Sequence, residues 1–255
     1  MGSTKSSPSA DRRARIEAAR KDGGGGADKV VVAAVVVVVA IVAVVGGVVW
    51  SSRSSDTGSG GTALPKGVTA MGAGYRAFAD VTPRPGAPTV DVYEDFQCPA
   101  CAQFEELTGS TISSLAQEGR IVLVYHVKNF LDDNLRNDSS TRAGNAAFCA
   151  ADAGRFQEFH DRVFPGQPEQ EGTGFTDADL AGFAQAAGIT GDALSTWEAC
   201  LDSGRYDAYV DSVERKSFED GVRGTPTVRF DGVDQELGAI ASPEGFTAAV
   251  EAATK

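Results

Sequence analysis

The sequence predicts an α/β domain with a long helical insertion, carried behind one membrane-crossing helix. Three observations lead there. Early in the globular part a strand, a helix and a second strand follow one another, which requires a parallel crossover. Residues from about 139 to 221 then read as helical almost throughout, before a strand, a turn, a short strand and a last helix. Ahead of all this, residues 30–50 form 21 consecutive uncharged positions, mostly Val, Ala and Ile.

Residues 1–29 carry seven Lys/Arg and four Asp/Glu and are otherwise rich in Ser, Gly and Ala, with the run Gly23 to Gly26. Such a composition cannot build a core, and it reads as a tail. In the apolar run that follows, Val is a strand former, but strands rarely exceed about ten residues, whereas a helix of this length spans the ~30 Å hydrocarbon layer. A cleaved signal peptide fits less well, because the end of the run is a poor cleavage site and Trp50 suits an interfacial anchor. Arg12, Arg13, Arg15, Arg20, Lys21 and Lys29 precede the run, so the N-terminus is expected in the cytoplasm and the remainder outside it. Residues 51–68 are Ser/Gly/Thr-rich and read as a tether with a reach of roughly 20–25 Å.

The globular part is expected over residues 69–255. Residues 89–93 form a short strand, and a helix opens at Cys98-Pro99, where proline suits the first helical position. Phe104, Leu107, Ile112 and Leu115 follow at near-helical spacing as a buried stripe. The apolar run 121–127 reads as a central strand buried on both faces. The helical insertion, about 135–222, includes an Ala-rich stretch over 142–164 and helix starts at Thr176-Asp177-Ala178-Asp179 and Gly191-Asp192. A further amphipathic stretch covers 206–218. Residues 227–230 form a strand, Asp231-Gly232 a turn, and Ser242-Pro243-Glu244 caps a helix ending near Ala253.

The net charge is -12, and because residues 1–29 are net +3 the rest of the chain carries -15. That balance argues against a nucleic-acid partner. The only four cysteines are Cys98, Cys101, Cys149 and Cys200, and the only two histidines, His126 and His160, stand alone in the sequence. With no second Cys pair or Cys/His cluster, no metal is expected. His126 and His160 read as helix-surface, strand or otherwise satisfied residues. The Cys98-Pro99-Ala100-Cys101 pair points instead to redox chemistry. A sulfur at a helix start meets unpaired N–H groups and the positive end of the macrodipole, which favour the thiolate, the attacking species in disulfide exchange. A merely structural short disulfide is the alternative.

Tyr93-Glu94-Asp95-Phe96-Gln97-Cys98-Pro99-Ala100-Cys101, followed by Phe104-Glu105, resembles the active-site segment of DsbA-like proteins of the thioredoxin superfamily. Gly224-Thr225-Pro226-Thr227 stands just before a strand, as that family's cis-proline loop does. The resemblance implies a thioredoxin fold of four or five strands with an inserted helical domain, and thiol:disulfide oxidoreductase activity without a cofactor. It implies Cys98 as exposed nucleophile, Cys101 as buried resolving thiol, and Pro226 as the cis residue facing the disulfide, with Thr225 offering backbone groups to an extended substrate. Two departures stand out. Ala100 occupies the place where the strongest oxidants of the family have histidine, which implies a milder oxidant. Val92 occupies the place of the buried acid of thioredoxins, leaving Asp95 and Glu94 as candidate proton acceptors for Cys101. Cys149 and Cys200, in two different helices of the insertion, are expected to form a structural disulfide in an oxidising compartment, two buried free thiols being the alternative.

The expected activity is therefore oxidation of cysteines in exported proteins, with reoxidation by a DsbB- or VKOR-like membrane partner. A reductase or isomerase using the same pair is the second reading. A tethered, non-enzymatic binding or chaperone module is the third.

Overall fold

The structure is a computed structural model and describes residues 63–255. The tail, the apolar run 30–50 and most of the tether lie outside the described residues. Among the described residues no helix is long and apolar enough to cross a membrane.

Five strands form one sheet in the order β1-β3-β2-β4-β5. They are β1 (Tyr75–Arg76), β2 (Thr89–Glu94), β3 (Val122–Val127), β4 (Thr227–Phe230) and β5 (Val233–Asp234). Strand β2 is the centre. It runs parallel to β3, with Val92 opposite Tyr125, and antiparallel to β4, with Val92 opposite Val228. Helix α1 (Pro99–Gln117) makes the crossover from β2 to β3. Between β3 and β4 come α2 (Phe130–Leu135), α3 (Ser139–Asp152), α4 (Phe156–Val163), α5 (Asp177–Ala186), α6 (Asp192–Asp202) and α7 (Asp207–Glu219). Helices α8 (Leu237–Ile240) and α9 (Pro243–Ala253) close the chain, and α9 packs on α1. This is the thioredoxin-like α/β arrangement with a helical insertion that the motifs implied.

Two local expectations need correction. Strand β3 is not central and is not buried on both faces. Leu123, Tyr125 and Val127 are buried while the alternate residues are partly exposed, the period-2 pattern of a strand with one core face. In α1, Leu107 is 44% exposed and Thr108 is fully buried. The stripe runs Cys101, Phe104, Thr108, Ile112, Leu115, and the Thr108 hydroxyl meets its own polar requirement by donating to the Phe104 carbonyl at 2.7 Å.

The insertion is organised around α3, which packs on α4, α6 and α7. Its small residues let those helices close in. A Cβ at Gly144 would meet Val210 Cγ2 of α7 at 2.9 Å and Val127 Cγ1 of β3 at 3.3 Å. Asn145, buried in the middle of α3, donates to the Leu201 carbonyl at 3.1 Å and accepts from the Tyr206 N–H at 2.9 Å, so its amide is satisfied. Trp197 Nε1 donates to the Ala146 carbonyl at 3.0 Å. A disulfide between Cys149 and Cys200, 51 residues apart, joins α3 to α6. Helix α5 begins with a reciprocal capping box between Thr176 and Asp179, and Ser242 caps α9 through the Gly245 N–H. The Asp231-Gly232 turn has both residues at positive φ, 49° and 81°, the backbone that a tight antiparallel turn requires.

Candidate active site

The central strand delivers the chain to the site. Strand β2 ends at Glu94, Asp95 to Gln97 make a turn closed by the Cys98 N–H donating to the Asp95 carbonyl at 2.9 Å, and Cys98 is the N-cap of α1. Pro99 at the first helical position has no N–H to lose. No side chain caps the helix, so its free N–H groups are left to the Cys98 sulfur.

The turn is braced from beneath by Asp95, which is wholly buried. One carboxylate oxygen accepts from the Gln97 N–H at 2.9 Å and from Ser140 Oγ at 2.5 Å, and the other accepts from the Leu131 N–H at 3.1 Å. Burial pushes Asp95 up to about 7 in spite of those three bonds. The Gln97 amide nitrogen sits 2.8–2.9 Å from Ser140 Oγ, Asp132 Oδ1 and Asn137 Oδ1. From the far side, Gln167 Nε2 donates to the carbonyls of Phe96 at 2.7 Å and Cys98 at 3.1 Å. The insertion thus grips the active turn through side-chain amides. Gln97 and Gln167 escaped the sequence reading. Gln97 adjoins the cysteine motif, but Gln167 lies in a loop with no pattern to mark it.

Cys98 and Cys101 are both present as thiols. Cys98 is less open than an exposed nucleophile would be. It keeps 7% of its surface against 1% for Cys101, because the loop before β4 packs over it. In that loop the Thr225–Pro226 peptide bond is cis, and the Cys98 thiol donates to the Thr225 carbonyl at 3.5 Å. The Thr225 hydroxyl is buried without a partner, which leaves it free to turn to the sulfur once the thiol ionises.

The two sulfurs are driven apart electrostatically. A hydrogen bond from the Cys101 thiol, opposed by burial and helped by Thr225 and the N–H groups of Cys101 and Ala100, lowers Cys98 to about 6. Burial, and then the nearby charges of Cys98 and Glu94, hold Cys101 well above an ordinary thiol. Of the two acids considered for the Cys101 proton, Glu94 acts on that sulfur through its charge, while the Asp95 carboxylate is committed to the turn. Among the described residues neither carboxylate is hydrogen-bonded to a sulfur.

Comparison with known proteins agrees with this geometry. A family model described as thioredoxin matches residues 84–252. The chain belongs to the thioredoxin family. Crystal structures place it among the DsbA-like thiol–disulfide oxidoreductases of that family. Oxidised DsbA of Mycobacterium tuberculosis is 32% identical with a TM-score of 0.56, over 68% of this chain and 88% of that one. The oxidoreductase DsbG of M. tuberculosis is 30% identical with a TM-score of 0.56, over 68% and 83%. MdbA of Actinomyces oris, at 24% identity and a TM-score of 0.63 over 75% and 90%, shares the fold. The serine/threonine-protein kinase PknE of M. tuberculosis is 29% identical over 147 residues, 55% of this chain, and the chain spans only 26% of that relative's length.

The other notable feature of the DsbA-like site is a cleft of about 860 Å³ beside the active turn, between α1 and residues 160–175. Pro99, Gln103 and Glu106 form one wall and Phe164 and Gln167 another. At its floor lies His160. It is fully buried, not on a helix surface, and its Nε2 is 2.7 Å from Glu94 Oε1. The other histidine, His126, pairs with Asp91 at 2.9 Å on the sheet.

Proposed function

We propose that this chain oxidises pairs of cysteines in exported proteins, passing the Cys98–Cys101 disulfide to them outside the cytoplasm. The observation that carries this reading is the separation of the two thiols: Cys98 lowered to about 6 and facing the Thr225–Pro226 loop, Cys101 raised.

In the reaction, a client thiolate attacks Cys98 Sγ of the disulfide. The Cys98–Cys101 bond breaks, and Cys101 leaves with the electron pair and takes up a proton. A second client thiolate then attacks the client sulfur of the mixed disulfide, and Cys98 departs as a thiolate. The client gains a disulfide and the pair gains two electrons. A thiol near 6 is a good leaving group at neutral pH, and stabilising the reduced pair as a thiolate makes its disulfide more oxidising. This favours the oxidase direction over the reductase or isomerase alternative. Thr225 and Pro226 would hold the extended client segment against Cys98. The apolar run 30–50 would anchor the domain in the cell membrane with its N-terminus in the cytoplasm, and a DsbB- or VKOR-like membrane protein would take the electrons.

Equilibrating the protein with glutathione buffers reads the potential of the pair. A value between about -120 and -180 mV is expected; one near about -270 mV, where thioredoxin lies, would assign the chain to the reducing direction.

A further inference from the structure

We propose that Glu94, Glu105 and His160 form a site for one first-row divalent metal ion, at the junction of the sheet, α1 and the helical insertion. The three residues come from the end of β2, from α1 and from α4, and one donor atom of each lies within 4.8 Å of the others. A tetrahedral ion with bonds of about 2.1 Å spaces its ligands at roughly 3.4 Å, so small side-chain adjustments close the set.

Two carboxylate oxygens of the cluster are left without a partner. Glu94 is 1% exposed, yet its Oε2 has no hydrogen-bond partner, and neither does the buried Oε1 of Glu105. Among the described residues no Lys or Arg pairs with either carboxylate; the one charged partner is His160 itself. On α1, Gly109 leaves room for the Glu105 carboxylate, since a Cβ there would collide with Glu105 Oε2. His160 carries the outer partner that metal-bound histidines commonly have: its Nδ1 faces Asp161 Oδ1 at 3.4 Å, which directs Nε2 inward to the cluster. The Tyr125 ring packs on the imidazole, centroids 4.4 Å apart, and fixes its plane.

A divalent ion would displace the proton shared by His160 and Glu94, and two carboxylates with the neutral imidazole then balance its charge, so the loaded site buries no net charge. Glu105 and His160 both line the 860 Å³ cleft, which provides an entry path and space for water in the remaining positions. A mixed set of two oxygens and one nitrogen suits Mn²⁺ or Zn²⁺ better than a soft ion that requires sulfur. The assignment holds whichever direction the cysteine pair works.

The test uses the full-length chain, stripped with chelator and kept in the disulfide form so that Cys98 and Cys101 cannot bind metal. Titration with Mn²⁺, followed by loss of the free-ion electron paramagnetic resonance signal, should show one ion per chain. Glu105→Gln should bind at least tenfold more weakly. Glu106→Gln, an exposed acid on the same cleft, should match the wild type. Wild type that binds no ion, or a Glu105→Gln chain that binds as tightly as wild type, would overturn the site. X-ray absorption of the Zn²⁺-loaded wild type reads the ligands independently of any variant's folding. A shell of nitrogen and oxygen with an imidazole signature supports the site, and sulfur in the shell or no imidazole rejects it.

Discussion

The Cys98 thiol lies 3.5 Å from the carbonyl oxygen of Thr225, a residue 127 positions later in the chain. The contact joins the start of α1 to the loop before β4, and those two segments meet because β2 and β4 are neighbours in the sheet. In the proposed reaction, a client segment taking the place of this contact would find the Thr225 backbone beside the sulfur it attacks.

In the reduced protein, alkylation of Cys98 by iodoacetamide should reach half its maximal rate near pH 6, and Cys98→Ser should abolish the fast phase. The same shift fixes how stability varies with pH. A thiol whose folded value of about 6 lies below its unfolded 9.0 adds stability that is complete above 9 and is lost as pH falls through 6. The disulfide form has no such group, and Cys101, shifted upward, acts above this window. The reduced form should therefore gain stability relative to the oxidised form between pH 6 and 9. Denaturant midpoints of both forms at pH 5.5 and 8.5 measure it, and a constant difference would contradict the assignment.

Cys149 and Cys200 close a loop of 51 residues across the insertion. Replacing both with Ser should cost roughly 4 kcal/mol through the unfolded chain. It should leave the titration of Cys98 unchanged, because the bridge joins α3 to α6 and touches neither active sulfur. Urea melts of the variant, with alkylation rates measured alongside, separate the two effects. Mild reduction of the folded protein followed by thiol counting in denaturant should find two free cysteines, and four only when the reduction itself is done in denaturant.

Asp95 is the acceptor for two backbone N–H groups and the Ser140 hydroxyl. Asp95→Ala strands these donors in a buried site, and the loss should be about 2–4 kcal/mol. Asp95→Asn retains one acceptor oxygen and should lose less. Since Gln97 N is one of the stranded groups, the Ala variant should also loosen the active turn, visible as faster amide exchange at Gln97 and Cys98. Unchanged exchange with lowered stability would mean that the Gln97 and Gln167 amides hold the turn without Asp95.

Much of this arrangement is legible in the sequence. Cys98-Pro99 marks a helix start because proline is tolerated there, and Thr176 and Asp179 form the reciprocal cap that their spacing suggests. Where the reading failed, the cause was a tertiary choice between neighbours. Leu107 and Thr108 differ by one helical step, and the stripe set by Cys101 and Phe104 selects the less apolar residue because its hydroxyl can bond back to the helix. In β3, alternation wins over the apolar run, since the strand has a core on one face only. The cluster of Glu94, Glu105 and His160 left no trace in the sequence. Its members lie on three elements, and only the docking of the insertion against α1 brings the histidine to the carboxylates. Gln167 reaches the active turn by the same docking.

Ala100 sits exposed between the two cysteines, one residue into α1 beyond Pro99. A histidine there would meet no steric obstacle, and its imidazolium would stand beside the Cys98 sulfur at the helix terminus, adding to what the N–H groups of Ala100 and Cys101 already supply. Ala100→His should therefore move the Cys98 titration below 6 and make the disulfide more oxidising. A tenfold shift in the exchange equilibrium corresponds to about 30 mV for this two-electron couple. At least that change is expected in the glutathione redox titration, together with faster oxidation of a model dithiol peptide. If the potential stays where it is while the Cys98 titration falls, the thiolate is not what sets the oxidising strength of this pair, and strain or solvation of the disulfide form must be measured instead.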